Sequence, residues 1–473
     1  MKKLLSLLLA AIMLLGMAGI AAADEINYDV TEPTKVVFWH TLNDDDDADL
    51  LQRIIKEFEA EHPLITIEPV YYASYNKVNE ALAAANVANV DVPGCAFINV
   101  PRLKAYADNG VIENLNPYIA HYGVDMSDFV QGFLDAMQVD GHQVAFPVMQ
   151  SGQVAYYNAD LLKELDITFP EKWEDMDAYL EKVFTATGKP AISLPEWDNA
   201  YFYPIYSNLN AYMITTNEKG EEVTGLDTED ALAVTRQMRE WTDKGWINWF
   251  HDASSCRAAF TGGDSAGIML YTTANYDNLQ SKSEFTVAMA VPPAMKTGKN
   301  NQLVAGGTFI IPANNDQQIK NAAFQFINWF TSGKYTIDFC IATSYFPTRM
   351  SCLENEADMA RFYEAMPAMP PVIKYLSSFE KKPQSAAFDS VGDIFEHYMG
   401  QIMVERQLDV DTAWEMMIEE MNEYLADQNE FNRLHPGGPA LFNRGRAAFM
   451  RGRGNEGDVS FLSHSAAAGG GEV

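Results

Sequence analysis

The sequence predicts an α/β protein, because short apolar runs alternate with amphipathic helical patterns through residues 36–110. Residues 36–39 form a run typical of a buried strand, and apolar residues follow at helical spacing between 50 and 58. Residues 64–71 predict a second strand, 76–85 a second helix, 97–98 a third strand and 103–108 a third helix. This order predicts a mostly parallel sheet with helices on both faces.

The strand and helix patterns recur later in the chain, after the sequence pattern changes around 146–147. Residues 154–157 predict a strand, and 159–165 and 176–184 predict helices. Two further strands are predicted at 285–291 and 308–312, and two further helices at 319–330 and 412–426. The α/β pattern therefore extends over most of the chain.

Length and charge exclude several classes of function. At roughly 150 residues per unit, 473 residues correspond to about three domains or to two larger lobes. The chain carries 33 Lys and Arg against 65 Asp and Glu, a net charge of -32. This acidity argues against nucleic acid and against an anionic membrane surface as the main partner.

The first residues predict export. Lys2 and Lys3 precede an uncharged apolar run that ends in three alanines at 21–23, which is the pattern of a signal peptide cleaved after Ala23. The alternative is an uncleaved membrane anchor, since about 20 apolar residues can span a bilayer. This segment contains no Cys, so no bacterial lipid anchor is expected, and the mature protein is expected in the periplasm or extracellular space.

The other end of the chain differs from the acidic body. Residues 429–473 contain a Pro/Gly-rich stretch, five arginines between 433 and 453 and a closing Ala/Gly run, which predict a disordered tail.

The four cysteines, Cys95, Cys256, Cys340 and Cys352, lack the spacing of a metal site, and small buried thiols are expected. Cys340 and Cys352 could form a disulfide in an oxidising compartment, but four cysteines allow three pairings and the sequence does not choose among them.

No motif requires catalysis, a metal or a cofactor. The GDSAG stretch at 263–267 matches a hydrolase pattern, but it lies between a predicted helix and a predicted strand, the reverse of the order a nucleophile elbow needs. The acids at 44–47 fail the calcium-loop pattern and suit a helix N-terminus, with a ligand-hydroxyl contact from Asn43 or Asp44 as the alternative. The histidines show no paired ligand spacing.

An aromatic segment around residue 200 suggests a binding surface. Trp197, Tyr201, Phe202, Tyr203 and Tyr206 lie close to Asp198 and two asparagines. Aromatic faces can cover the C–H face of a sugar ring, while amides and carboxylates bind its hydroxyls. The alternative is an ordinary aromatic core around Pro204. Within this segment, Trp197 and Asp198 are the residues expected to be exposed.

A set of short stretches resembles a known family. They are VFWHT at 37–41, FEAEHP at 58–63, VDGH at 139–142, FP at 146–147, AYYNADLL at 155–162, PEKW at 170–173, FTGG at 260–263, GGT at 306–308 and TSYFP at 343–347. In this order, behind a signal peptide, they resemble the extracellular solute-binding proteins of ABC importers, in the group that contains maltose-binding and glycerol-phosphate-binding proteins. The resemblance covers roughly residues 35–428.

The resemblance implies the periplasmic-binding-protein fold, with two α/β lobes and a ligand cleft between them. The N-terminal lobe is expected to comprise 24–148 and 284–335, and the C-terminal lobe 149–283 and 336–428. The chain would cross near 147–154, return near Phe285 and cross again near 335–345. A closed, ligand-bound monomer would then dock transiently on a membrane permease.

The resemblance also implies the site residues. Residues 40–43 would form the first cleft loop, Trp197 a sugar platform, and Gly306 and Gly307 would offer backbone N–H groups. The expected ligand contacts are His40, Thr41, Asn43, Tyr75, Asn99, Ser151, Trp197, Thr272, Thr273, Tyr276, Gly306, Gly307, Tyr345, Phe388 and Asp389.

One departure from the family bears on the ligand. The glycerol-phosphate binders carry a phosphate-clamping Arg near the stretch that corresponds to 388–395, where this chain has none. Since Arg supplies the planar fork that suits phosphate, a neutral sugar or oligosaccharide fits better. A glycerol phosphodiester, a polyamine or another polar solute on the same fold is the alternative, and a secreted hydrolase is the third hypothesis.

Overall fold

The computed structural model describes residues 26–42, 45–195, 199–250, 252–381, 385 and 387–434. The predicted signal peptide at 1–23 lies outside the described residues, as does the predicted tail from residue 435 onward. Residues 429–434, which we assigned to that tail, instead form the end of the last helix, Val410–Leu434.

The described residues form short strands and many helices. The strands are β1 (Thr34–His40), β2 (Ile65–Tyr71), β3 (Cys95–Asn99), β4 (Gln138–Val139), β5 (His142–Gln143), β6 (Phe146–Ser151), β7 (Gln153–Asn158), β8 (Ile192–Pro195), β9 (Thr215–Thr216), β10 (Glu222–Val223), β11 (Ile247–Phe250), β12 (Gly267–Thr272), β13 (Val287–Ala290), β14 (Gln302–Leu303), β15 (Ala305–Ile310) and β16 (Phe379–Glu380).

The helices, numbered separately, alternate with these strands. They are α1 (Asp45–Glu61), α2 (Tyr75–Ala88), α3 (Leu103–Asp108), α4 (Asn116–Tyr122), α5 (Gln131–Ala136), α6 (Ala159–Glu164), α7 (Met176–Thr187), α8 (Asn199–Ser207), α9 (Glu229–Asp243), α10 (Ala253–Thr261), α11 (Tyr276–Lys282), α12 (Gln317–Phe330), α13 (Gly333–Thr343), α14 (Met350–Leu353), α15 (Glu356–Ala365), α16 (Pro370–Ile373), α17 (Phe388–Met403) and α18 (Val410–Leu434). Short 3₁₀ turns lie at Val100–Arg102, Met126–Asp128, Trp173–Asp175, Thr273–Asn275 and Leu376–Ser378.

The first sheet has the strand order β2-β1-β3-β15-β6. Strands β1, β2 and β3 run parallel, β15 runs antiparallel to β3, and β6 is antiparallel to β15, so β6 has the direction of β1. The sheet is buried on both faces because alternate side chains enter different cores. In β3, Cys95 and Phe97 enter one core, while Ala96 and Ile98 enter another.

The second sheet has the strand order β11-β8-β12-β7-β13. Strands β11, β8 and β12 run parallel, and β7 is antiparallel to both β12 and β13. Each sheet therefore has one strand opposed to four, which agrees with the predicted mostly parallel sheets.

Separate cores pack on the two sheets, and a third joins them. Phe38, Phe97 and Phe309 of the first sheet meet Phe326 and Phe330 of α12 in edge-on and tilted ring contacts. Helices α17 and α18 pack with the second sheet in a core of their own. The third core contains residues of both sheets, which tie the two lobes together on one side.

Two of the predicted crossings between lobes are wrong. We placed the return to the first lobe near Phe285, but β13 pairs with β7 in the second sheet, and the chain reaches the first sheet only at β15. We placed the last crossing near 335–345, but α13 packs on α1, with Tyr335 and Phe339 in the first core. The chain reaches the second core at α17. The other lobe boundaries stay predictions.

The cysteine prediction is confirmed. Cys95, Cys256, Cys340 and Cys352 are buried free thiols. Burial raises the pKa of each thiol, because the thiolate would lose its hydration. All four thiols are therefore expected to be unreactive in the folded protein.

Candidate functional site

The predicted contacts of the first lobe gather along one edge of the first sheet. His40, Asn99 and Ser151 are the last residues of β1, β3 and β6. Gly306 and Gly307 lie at the start of the opposed strand β15, where they pair with Gln150 and Met149. Because the carboxyl ends of strands with one direction share an edge, these residues form a continuous rim, which is where open α/β sheets bind ligands.

The second sheet presents its own rim at the same place. Thr272, the last residue of β12, pairs with Gln153, the first residue of β7. A single residue, Gly152, separates β7 from β6. The N–H of Thr273 donates to the Gly152 carbonyl at 3.2 Å, so the loop after β12 begins at the crossing between the sheets. The two rims therefore meet at Gly152.

Three hydroxyl groups form a cluster above the first rim, which we call the hydroxyl cluster: Thr41, Tyr75 and Tyr345. The side chains of Tyr345 and Thr41 lie close enough to the Tyr75 phenol to influence its pKa through hydrogen bonding. The phenol also approaches the Met149 sulfur at 3.7 Å. Burial, followed by the neighbouring Tyr345, raises the pKa of Tyr75 well above its ordinary value. The phenol therefore stays protonated at neutral pH and can both donate and accept hydrogen bonds.

The two glycines of β15 make room for this cluster. Gly306 has φ +101, in the region that favours glycine, and a Cβ there would overlap the Met149 carbonyl. A Cβ on Gly307 would overlap the Tyr75 phenol oxygen and lie 2.8 Å from the Met149 methyl carbon. The Gly307 carbonyl accepts a hydrogen bond from Gln150 Nε2 at 2.7 Å.

His40 lies at the same rim as a neutral, oriented imidazole. Its Nδ1 accepts the Leu42 N–H at 3.3 Å, which leaves the proton of the neutral ring on Nε2. The residue is 6 % exposed. Burial lowers the pKa of His40 to about 4, against the smaller opposing effect of the bond from Leu42.

Asn99 and Ser151 occupy the middle and the end of the rim. The side-chain oxygen of Asn99 accepts from Asn79 Nδ2 at 2.9 Å, which orients the amide. Ser151 is buried and pairs with Ala305 beside Gly152. Both positions agree with the expectation that strand ends supply polar groups to a cleft.

The loop after β12 brings Thr272, Thr273 and Tyr276 to the second rim. The Tyr156 hydroxyl lies 2.8 Å from the Thr272 carbonyl and 2.9 Å from the Thr273 carbonyl, which holds the loop from inside the lobe. The Thr273 hydroxyl is fully buried and has no hydrogen-bond partner among the described residues. Tyr276 is buried in the core that joins the lobes.

Some predicted residues do not join this group. Phe388 is 6 % exposed and packs in the second core with its ring centroid 6.0 Å from that of Tyr203, so it stabilises α17. Asp389 lies in α17, but its side chain is outside the description. The predicted contacts Asn43, Asp44, Trp197 and Asp198 lie outside the described residues. As ligand contacts, all of these residues stay predictions.

Sequence reasoning missed the buried glutamines at the crossing. Gln150 is fully buried at the end of β6, and its Oε1 has no partner among the described residues. Gln153 is also buried, and its Oε1 accepts the Leu303 N–H at 3.1 Å. The available signal was a polar residue in an otherwise apolar strand, since burial of an amide requires a specific partner.

The described part of the chain contains no group of three His, Cys, Asp or Glu side chains placed to hold a metal ion. Among the same residues, no helix has both the length and the apolar character needed to cross a membrane.

Comparison with known proteins identifies the family. The family model described as "Bacterial extracellular solute-binding protein" matches residues 53–371 of the chain. The chain belongs to this family. Because the family consists of extracellular proteins, membership agrees with the prediction that this protein is exported.

Curated relatives of this solute-binding protein include sugar-binding proteins. The maltodextrin-binding protein MdxE of Bacillus subtilis is 22 % identical over 54 % of this chain and 60 % of its own length. The maltotriose-binding protein of Pyrococcus abyssi is 24 % identical over 68 % of both chains. The chain spans about 60 % of the length of the maltodextrin- and maltooligosaccharide-binding relatives that it matches.

Solved structures establish the two-lobed fold of this solute-binding protein. UgpB from Mycobacterium tuberculosis, in complex with glycerophosphocholine, superimposes with a TM-score of 0.72 at 19 % identity, over 83 % of this chain and 98 % of that one. The sugar-binding protein MalE from Xanthomonas citri gives a TM-score of 0.71 at 17 % identity, over 85 % and 99 %. The predicted fold class is confirmed.

Proposed function

We propose that this solute-binding protein is the extracytoplasmic component of an ABC importer that captures a sugar or oligosaccharide between its lobes. The observation that carries the proposal is the meeting of two sheet rims at Gly152, beneath the hydroxyl cluster of Thr41, Tyr75 and Tyr345. Family membership and the sugar-binding relatives support the same function.

The chemistry of the first rim suits a neutral polyhydroxylated ligand. The phenols of the hydroxyl cluster, the Asn99 amide and the neutral His40 ring exchange hydrogen bonds with hydroxyl groups without requiring an ionic partner. The tyrosine rings can cover the C–H face of a sugar. These groups favour a carbohydrate over a phosphate, which needs cationic or backbone N–H donors in a fixed fork.

The proposal includes the fate of the ligand. The ligand is held without bond cleavage and passed to a membrane permease, which docks transiently on the monomer. The protein reaches its compartment through a signal peptide cleaved after Ala23. The relatives that are named as binding proteins support a transport function without catalysis.

A ligand panel tests the proposal. Thermal unfolding of the mature protein is measured with maltotriose, maltose, glycerophosphocholine and spermidine. A sugar is expected to raise the midpoint, because a ligand at a hundredfold excess over Kd stabilises the folded state by about 2.7 kcal/mol. If only glycerophosphocholine or spermidine raises the midpoint, the ligand belongs to the alternative class and the carbohydrate proposal is wrong.

Two controls complete the panel. Tyr75→Phe removes one hydroxyl of the cluster and is expected to reduce the sugar shift. Tyr179→Phe, on α7 in the second core, is expected to leave it unchanged. Chromatography of maltotriose after long incubation is expected to show no cleavage, and the appearance of glucose or maltose would support the hydrolase hypothesis.

A further inference from the structure

A hydrogen bond joins the two lobes beside the proposed site. Ser344 Oγ donates to Asp277 Oδ2 at 2.6 Å. Ser344 is the C-cap of α13, which packs on α1 in the first lobe. Asp277 lies in the first turn of α11, which packs on α10 and β13 in the second lobe. The bond therefore crosses from one lobe to the other.

Both partners adjoin predicted ligand contacts. Ser344 directly precedes Tyr345, a member of the hydroxyl cluster, and Asp277 directly follows Tyr276. Phe346, the residue after Tyr345, donates its N–H to the Gln150 carbonyl at 2.8 Å. This bond attaches the Tyr345 segment to β6. A displacement of Asp277 relative to Ser344 would therefore move the loop after β12 relative to Tyr345.

The other hydrogen bonds described for the loop after β12 come from the second lobe and from the crossing. Tyr156 holds the carbonyls of Thr272 and Thr273 from within the second lobe. The Thr273 N–H binds the Gly152 carbonyl at the crossing. Among the hydrogen bonds described for residues 272–277, the one from Ser344 comes from a helix of the first lobe.

The backbone conformation at Ser344 indicates that the serine hydroxyl is needed at this position. Its φ is +58, a left-handed conformation that favours Gly or Asn at the end of a helix. Ser occupies the position despite this conformational cost, and its side chain is 2 % exposed with the hydroxyl directed to a carboxylate. A glycine would satisfy the backbone but would lose the bond.

We propose that the Ser344–Asp277 bond positions the loop after β12 against Tyr345 and so sets the geometry between the two rims. Ser344 and Asp277 are positioning residues that act through Tyr345 and Tyr276. The effect on ligand release rests on the proposed function, whereas the effect on the arrangement of the lobes does not.

The test measures lobe geometry without ligand. Spin labels are attached at Glu61→Cys in the first lobe and Glu181→Cys in the second, since both positions are exposed and the four native thiols are buried. Distance distributions between the labels are recorded for the parent protein, Ser344→Gly and Asp277→Ala. A broader or shifted distribution is expected in both variants, and an unchanged distribution in both would overturn the proposal.

Stability separates positioning from simple damage to the fold. Ser344→Gly relieves the backbone while removing the hydroxyl, so its unfolding midpoint is expected to equal or exceed that of the parent. Asp277→Asn keeps an acceptor oxygen and is expected to restore much of the parent distribution. The distance distribution of the double variant Ser344→Gly/Asp277→Ala is expected to be no broader than that of either single variant, because both substitutions remove the same bond.

A kinetic measurement links the bond to the ligand. Maltotriose dissociation is expected to be at least tenfold faster in Ser344→Gly and Asp277→Ala than in the parent. The control is Ser127→Gly, which removes a Ser–Asp bond of 2.6 Å formed with Asp125 inside one lobe. If the parent binds no maltotriose, the proposed ligand is wrong, while the distance measurement still decides whether the bond sets lobe geometry.

Discussion

The Tyr75 phenol oxygen occupies the space that a Cβ on residue 307 would need, so the aromatic side chain approaches the backbone of β15 where only glycine fits. Tyr75 begins α2, after the N-cap Ser74, whose Oγ accepts the Lys77 N–H at 3.3 Å. The cap sets where the helix starts, and the start of the helix places the phenol over Gly307. A loop, a helix cap and a distant strand therefore cooperate to place one hydroxyl group.

Gly307→Ala is expected to disrupt this arrangement. The added methyl group would overlap the phenol oxygen and meet the Met149 methyl carbon at 2.8 Å, so Tyr75 must move away from Thr41 and Tyr345. Overpacking of this kind costs about 1–3 kcal/mol. Calorimetric titration with maltotriose is expected to show affinity at least tenfold weaker than that of the parent.

The matched control for that substitution is Gly333→Ala. A Cβ there would lie 3.5 Å from the Cys352 sulfur, which is ordinary contact, and the residue begins α13, at the opposite end of that helix from Tyr345. Its affinity is expected to equal that of the parent. Equal affinity in Gly307→Ala would show that the hydroxyl cluster does not contact the ligand.

His40 is expected to make the folded protein sensitive to acid. Its pKa is about 4 in the folded state and about 6.5 in an unfolded chain, so the unfolded state binds the proton first as pH falls. The stability that depends on the neutral ring is complete above pH 6.5 and is lost progressively as pH falls toward 4. The loss should reach about 3 kcal/mol at pH 4.

Urea unfolding at pH 7, 5.5 and 4 measures this effect. His40→Gln removes the titrating ring, so its unfolding free energy is expected to fall less steeply with pH than that of the parent. His142→Gln, at an exposed position, is expected to keep the parent slope. Parallel slopes for the parent and His40→Gln would show that His40 does not control the acid response.

Local patterns predicted much of the fold and the placement of the first rim. The apolar run that ends at His40 identifies β1, and a strand end in a parallel sheet is where polar residues meet a ligand. The alternation at 285–291 correctly indicated a strand, but its partner was misplaced. Periodicity describes which side chains share a face, whereas pairing with β7 depends on contacts between residues more than 100 positions apart.

The contacts that hold the site together were beyond the reach of sequence patterns. Gln150 lies in none of the stretches that resemble the family, and the TSYFP stretch that contains Ser344 does not show what its hydroxyl contacts. Each residue acquires its partner through the tertiary fold. Phe388 gives a second example, since its position in the resemblance suggested a ligand contact and did not indicate that the structure packs its ring in a core. Burial depends on the helices that cover a residue, which a local pattern does not show.

Arg349 is expected to stabilise the first lobe without contributing to binding. Its guanidinium donates to the Thr331 carbonyl at 2.7 Å, lies 3.7 Å from the centre of the Phe129 ring and approaches Asp128 at 3.4 Å. The residue is 6 % exposed, so its removal leaves a buried carbonyl and part of a carboxylate without partners. Arg349→Met is expected to cost about 3 kcal/mol, measured by urea unfolding at pH 7.

The exposed ion pair between Lys77 and Glu80 provides the contrast for Arg349. Both side chains are more than half exposed, and Lys77→Met is expected to change stability by less than about 0.5 kcal/mol. Maltotriose affinity is expected to be unchanged in Arg349→Met at a temperature where the variant is folded. Weaker binding there would place Arg349 in the binding machinery, contrary to this assignment.

Gly152 is expected to tolerate no side chain, because the Phe379 ring lies against its Cα and a Cβ would overlap three ring atoms. The ring cannot move easily, since it is 3 % exposed and contacts the Phe346 ring at 5.3 Å between centroids. Gly152→Ala should therefore displace either the ring or the strands β6 and β7 that the glycine connects. We expect a loss of about 1–3 kcal/mol in unfolding free energy and a changed radius of gyration in small-angle scattering.

Compensation at Phe379 distinguishes a local clash from a general defect of the crossing. Phe379→Leu removes ring atoms that a Cβ on residue 152 would meet, so the double variant Gly152→Ala/Phe379→Leu should be more stable than the sum of the single changes implies. The radius of gyration is expected to return toward that of the parent, because the crossing can again pass close to residue 379. Additive losses, with no recovery in scattering, would show that the Phe379 ring is not what excludes a side chain at residue 152.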